Sequence, residues 1–200
     1  MKQPIICISR QFGSGGRVIG KAVAQKLGLP FYDRTIINQA AEATGLSAEF
    51  IEQEEQRFNN SMLFNLSMGG HTITASGISF SNRVFEAESK IIRDLAAQGG
   101  CVIVGRCADY VLRDDPNLFS VFICADLPYR VNRVVEWEHL PADRAEKVLK
   151  NKDKQRARHY HFYTDRDWGN KEYYHMILNS SRLGIDQCVD LICSAVQNEQ

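Results

Sequence analysis

Residues 4–9 (PIICIS) form an apolar run that opens directly into three glycines, Gly13, Gly15 and Gly16, and then into a helical pattern. No other stretch constrains the chain as much. A short continuous apolar run reads as a strand buried on both faces. Behind the glycines, Ile19, Ala22, Val23, Lys26 and Leu27 recur at helical spacing, and Gly28 with Pro30 supplies a stop. Strand, glycine turn and helix in that order bring consecutive backbone N–H groups and the positive end of a helix to one spot. Glycine suits such a turn because positive φ costs it nothing and its missing Cβ lets an anion approach the backbone. Residues 9–17 (SRQFGSGGR) are therefore a candidate phosphate cradle, with Gly13, Ser14, Gly15, Gly16 and Arg17 as its contact residues. An ordinary glycine-rich turn is the alternative reading.

The rest of the chain repeats the alternation. Residues 31–33 read as a very short second strand, and residues 35–57 as helical with an N-cap signal at Ser47. Residues 59–82, rich in Ser, Asn and Gly, read as a long mobile segment. Phe85, Glu88, Ile91, Ile92 and Leu95 mark a helix that Gly99 and Gly100 end, and residues 101–104 (CVIV) follow as a buried strand. Residues 119–125 (FSVFICA) are another, with Asp126 placed to cap the helix after it and Pro128 in its first turn. A long basic helix spans about residues 141–160, a strand residues 175–178, and Ile185, Val189, Ile192 and Val196 line one face of a closing helix. Strands alternating with helices predict a three-layer α/β/α fold around a mainly parallel five-stranded sheet. With no repeat or linker, residues 1–200 read as one domain.

Composition narrows the function. Lys+Arg and Asp+Glu stand at 24 each, so no net field is available to hold a nucleic acid or an anionic membrane, and phosphate recognition has to be local. The six cysteines, Cys7, Cys101, Cys107, Cys124, Cys188 and Cys193, show no zinc-ligand spacing and sit mostly in apolar runs, as reduced core residues do. The N-terminal apolar run is too short for a signal peptide and nothing approaches a membrane span, so a cytoplasmic protein is expected.

Other residues carry candidate chemistry. Arg106 follows the CVIV strand directly and so emerges at the carboxyl edge of the sheet, where open α/β sheets bind ligands; a surface pairing with Asp109 is the plainer reading. Asp33, at the end of the second strand, is either an acceptor-side carboxylate or the N-cap of the next helix. Arg156 and Arg158 lie two residues apart on the basic helix, so only one of them can face a given ligand. His159 and His161 read as solvated, and Trp168, Tyr173 and Tyr174 as anchors returning the chain to the sheet.

The opening ISRQFGSGG through GKAVAQKLGLPFYD, the later VGR at residues 104–106, QRAR at 155–158 and the ending LNSSRLGIDQCVDLI at 178–192 together resemble the cytidylate kinase-like family of P-loop nucleoside monophosphate kinases. The resemblance implies an ATP-dependent phosphotransferase with Mg²⁺ as its metal and a nucleoside monophosphate or other small molecule as acceptor. It implies an acceptor-side helical insertion over residues 35–82 and a lid over residues 141–170. Donor phosphates would lie on Gly13, Ser14, Gly15, Gly16 and Arg17, the acceptor on Asp33 and Arg106, and Arg17, Arg156 and Arg158 would act in catalysis. The chain departs from the pattern G-x-x-x-x-G-K-[ST], because Arg10 stands for the first glycine, Gly16 for the lysine and Arg17 for the hydroxyl residue. Ser9 and Ser14 are the nearby hydroxyls, and no metal ligand is assigned. Gln39 replaces an acceptor-side arginine, with Arg34 as a possible substitute, and Cys107 replaces the Asp after Gly-Arg. A nucleotide-binding regulatory or sensor module without turnover is the alternative function.

Overall fold

In the computed structural model, residues 3–45, 47–49, 51 and 75–198 are described. The apolar runs become strands β1 (Ile5–Arg10), β2 (Phe31–Tyr32), β3 (Cys101–Val104), β4 (Leu118–Cys124) and β5 (Met176–Asn179). They pair in the order β2-β3-β1-β4-β5, every pair parallel. Successive side chains of a strand face opposite sides, which accounts for runs without polar interruption. Ile6 and Ile8 pack with Val102, Val104, Val121 and Ile123 against helices α1 (Gly16–Leu27) and α8 (Ile185–Asn198). Ile5 and Cys7 join Ile103 on the other face, under Ile36 of α2 (Arg34–Thr44) and Ile92 of α3 (Ala75–Ala97). This is the expected three-layer arrangement.

Helix α1 lies close on the sheet because Gly20 has no side chain. A Cβ there would come within 2.9 Å of Val104 Cγ2 and 3.2 Å of Ile8 Cδ1. Gly20→Val should therefore lower stability by about 2 kcal/mol or more through overpacking, read as a lower urea midpoint; an unchanged midpoint would mean that α1 shifts freely.

The helix expected over residues 35–57 stops at Thr44, where Gly45 takes φ 71° and closes it. A further turn starts at Ser47, whose carbonyl accepts from the Ile51 N–H at 3.1 Å. Most of the stretch read as mobile lies outside the described residues. Its end, residues 75–82, is the first part of α3, because packing at Ser81 and Val84 overrides a composition with weak helical preference.

Three shorter helices complete the chain: α4 (Ala108–Val111), α5 (Leu127–Trp137) and α7 (Ser180–Leu183). The basic helix is α6 (Ala142–Thr164). Asp126 stands at the N-cap of α5 without a capping bond; its carboxylate instead accepts from Asn179 Nδ2 and pairs with Arg182. Among the described residues no helix is long and apolar enough to cross a membrane.

Candidate active site

Between β3 and β4, strand β1 leads into the glycine turn, so the crevice at its carboxyl end is the switch point of the sheet. Gly13 and Gly15 take φ of 79° and 80°, and Gly15 caps α1. Gly13 has no room for a side chain: Arg130 O, Leu149 Cδ2 and Val134 Cγ1 each lie 3.1 Å from where a Cβ would stand. Beside Gly15 lie Ile185 and the Arg133 guanidinium. Ser180, fully buried, donates its hydroxyl to Ser14 O at 2.6 Å. Gln11 Oε1 accepts from the Ala125 N–H at 3.0 Å. The turn is thus fixed from β4 and α7 as well as by its own glycines.

The loop hydroxyls face inward. Ser14 is buried and donates to Gln11 O at 2.9 Å, and Ser9 donates to Asp109 Oδ1 at 3.3 Å. Neither fits the role of a Mg²⁺ ligand, and the described residues hold no cluster of three or more metal-binding side chains.

Arginines converge on the crevice. Arg17, in the first turn of α1, pairs through Nε with Asp33 Oδ2 at 2.5 Å. Asp33 stands at the N-cap of α2 but makes no capping bond; its carboxylate is engaged with Arg17 instead. Arg106 pairs with the buried Glu88 of α3 at 2.9 Å and not with Asp109, the partner of its alternative reading. The cause is the turn after β3, in which Arg106 and Cys107 are both left-handed, with φ of 59° and 52°. Asp109 is instead buried under Ser9 and Tyr160, whose hydroxyl donates to it at 2.7 Å. Burial raises the Asp109 pKa above the usual carboxylate range, and burial with the Asp109 charge raises that of Tyr160.

Helix α6 crosses the crevice with Asp153, Arg156 and Tyr160 on one face, three and four residues apart. Asp153 accepts from the Phe12 N–H at 2.8 Å and from Arg130 Nη1 at 2.5 Å. Arg156 Nη1 donates to Arg10 O at 2.9 Å, with its guanidinium over the Phe12 ring. Arg158 is roughly 200° further round the helix than Arg156, and its Nη1 is buried without a hydrogen-bond partner among the described residues. The structure therefore brings Arg17, Asp33, Arg106 and Arg156 to the glycine turn, whereas Arg158 makes no hydrogen bond or ion pair to it among the described residues. His161 is exposed. Trp168 and Tyr174 pack on Phe122 of β4 at 5.2 and 5.1 Å.

Sequence reasoning missed Arg10. It ends β1 at the carboxyl edge just as Arg106 follows β3, so the same signal was present; aligning it with a glycine of the standard loop hid it. Asp153, Arg130 and Ser180 gave no signal, since their partners lie more than twenty residues away.

The sequence profile of the cytidylate kinase-like family matches residues 5–182. The chain belongs to that family. Among solved structures, this cytidylate kinase-like chain is similar to an uncharacterised protein from Eubacterium ventriosum ATCC 27560, with TM-score 0.74, 25% identity and coverage of 98% and 99% of the two chains. It is also similar to a shikimate kinase from Acinetobacter baumannii in complex with shikimate (TM-score 0.54, 14% identity, coverage 99% and 95%). A gluconokinase from Sinorhizobium meliloti 1021 gives TM-score 0.53 and 13% identity, with coverage of 98% and 94%. No curated protein matches. The kinase-like α/β/α fold is common to these neighbours.

Proposed function

We propose that this chain is an ATP-dependent phosphotransferase acting on a small acceptor, with a nucleoside monophosphate as the leading candidate. The observation that carries the reading is the set of four arginines, Arg10, Arg17, Arg106 and Arg156, around a glycine turn at the switch point. Two are paired, with Asp33 and Glu88. Arg10 and Arg156 have no carboxylate within ion-pair distance among the described residues, which leaves a local surplus of positive charge suited to phosphate. Family membership and the fold shared with a shikimate kinase and a gluconokinase support the kinase class.

In this reading the backbone of Gly13, Ser14, Gly15 and Gly16 and the side chain of Arg17 hold donor phosphates, and Arg106 with Asp33 places the acceptor. Arg156 neutralises charge on the transferring group, in preference to Arg158. An acceptor that is already a phosphate needs no general base; for a hydroxyl acceptor, Asp33 takes the proton. Residues 141–170 serve as the lid and residues 35–82 as the acceptor side. Mg²⁺ enters as the counter-ion of ATP, and no step here depends on a protein ligand for it.

The second reading, a nucleotide-binding sensor without turnover, is favoured by one observation: the hydroxyls of Ser9 and Ser14 are both engaged inside the protein. A coupled ADP-release assay with Mg²⁺-ATP against nucleoside monophosphates and small hydroxyl compounds, beside an ATP titration, separates the two. Acceptor-dependent ADP release is the expected result. ATP binding without release on any acceptor would establish the sensor, and absence of ATP binding would sink both.

A further inference from the structure

Arg10 occupies a channel built from two missing side chains. Its stem crosses Gly16, where an added Cβ would lie 2.6 Å from Arg10 Cβ and 2.9 Å from its Cγ. Its guanidinium lies against Gly105, where an added Cβ would fall 2.1 Å from Nη1 and 3.0 Å from Cζ. Gly16 opens α1 and Gly105 follows β3, so the side chain spans the floor of the crevice from the donor loop to the acceptor edge. A terminal donor phosphate and an acceptor oxygen have to meet between those two edges.

The charges around it point to an anion. Arg17, Arg106 and Arg130 each have a carboxylate partner, whereas Arg10 has none within ion-pair distance among the described residues. Facing it are the cations Arg156, Arg106 and Arg17 and the anion Asp33. Burial first, and then Arg156, push its pKa down to about 9, and an arginine so placed still carries its proton at neutral pH. A half-buried cation among cations is unfavourable until a negative group arrives. Arg17 is a weaker candidate for that group, being 66% exposed and tied to Asp33.

We propose that Arg10 is the catalytic arginine that holds the transferred phosphoryl group, supplying from the end of β1 the charge that the standard loop draws from its lysine. The proposal rests on the phosphotransferase reading. Arg10 makes and breaks no bond. The acceptor oxygen bonds to the terminal phosphorus as the bond to the bridging oxygen breaks, and the electron pair leaves with ADP. A hydroxyl acceptor gives its proton to Asp33, and a phosphate acceptor has none to give. Arg10 donates N–H groups to the equatorial oxygens throughout.

The test combines calorimetric titration with inorganic pyrophosphate, thermal unfolding and the ADP-release assay on the full chain, R10M, R10K and R17M. Pyrophosphate should bind R10M roughly 10- to 100-fold more weakly, R17M should lose less, and R10K should fall between wild type and R10M, because it keeps the charge without the fork. R10M should melt at or above the wild-type temperature, since it removes repulsion. An R10M protein that is insoluble or melts lower, or R10M or R10K binding pyrophosphate as wild type does, would overturn the assignment, as would wild-type protein that ignores pyrophosphate. Transfer that survives in R10M overturns Arg10 and leaves the kinase reading standing. Pyrophosphate binding lost in R10M, with no acceptor used by wild type, sinks the kinase reading and keeps Arg10 as an anion ligand.

Discussion

Replacing Arg156 by methionine should slow phosphoryl transfer by about 10³-fold while leaving the ATP dissociation constant within about threefold. Cations delivered to the equatorial oxygens act when charge redistributes in the transition state, and an arginine in that role contributes on the order of 10³ in turnover. Arg156 has the geometry for it. It donates one bond to Arg10 O and lies over Phe12, so its direction is fixed while no carboxylate lies within ion-pair distance among the described residues. Burial lowers its pKa, with Asp153 and Asp33 opposing the shift. Arg158→Met, on another face of α6, should cost less than about tenfold. Steady-state kinetics beside ATP titration decide the matter, and an Arg156→Met enzyme with wild-type turnover would remove this residue from the chemistry.

The largest expected loss of stability belongs to Asp153→Ala. The Arg130 and Asp153 side chains are 9% and 16% exposed, and the same carboxylate holds the Phe12 N–H while Arg130 donates to Phe12 O at 3.3 Å. Removing one member of a buried pair leaves the other charge without a partner, at a cost of about 3–5 kcal/mol. The loop loses an anchor at the same time, so ATP affinity should fall with stability. Asp153→Asn keeps one acceptor and should cost less. The double variant Asp153→Ala with Arg130→Met should recover part of the loss, because no orphaned cation remains. Urea unfolding measures all three. A loss below about 1 kcal/mol in Asp153→Ala would mean that water screens the pair.

The strands and their layering were legible because residues 5–8 and 101–104 are buried on both faces and leave no polar position to confuse the pattern. The turn at Gly13 and Gly15 was legible because positive φ is a local demand. Arg106 could be placed at a sheet edge by counting from the strand, but its partner could not. Glu88 is on a helix whose first residues fall in a stretch of weak propensity, and two left-handed residues redirect Arg106 towards it. Asp33 against Arg17 is a matter of how closely α1 lies on the sheet, which Gly20 sets and no spacing rule reveals. Arg10 was hidden by a borrowed pattern, not by its own chemistry.

Helix α6 touches three different parts of the crevice through one stripe: Phe12 through Asp153, the end of β1 through Arg156, and the Ser9–Asp109 pair through Tyr160. Folding already bears the entropy of ordering this stripe. A ligand therefore meets a stretch of the lid already ordered along α6, and the selectivity of that half of the crevice comes from fit and charge.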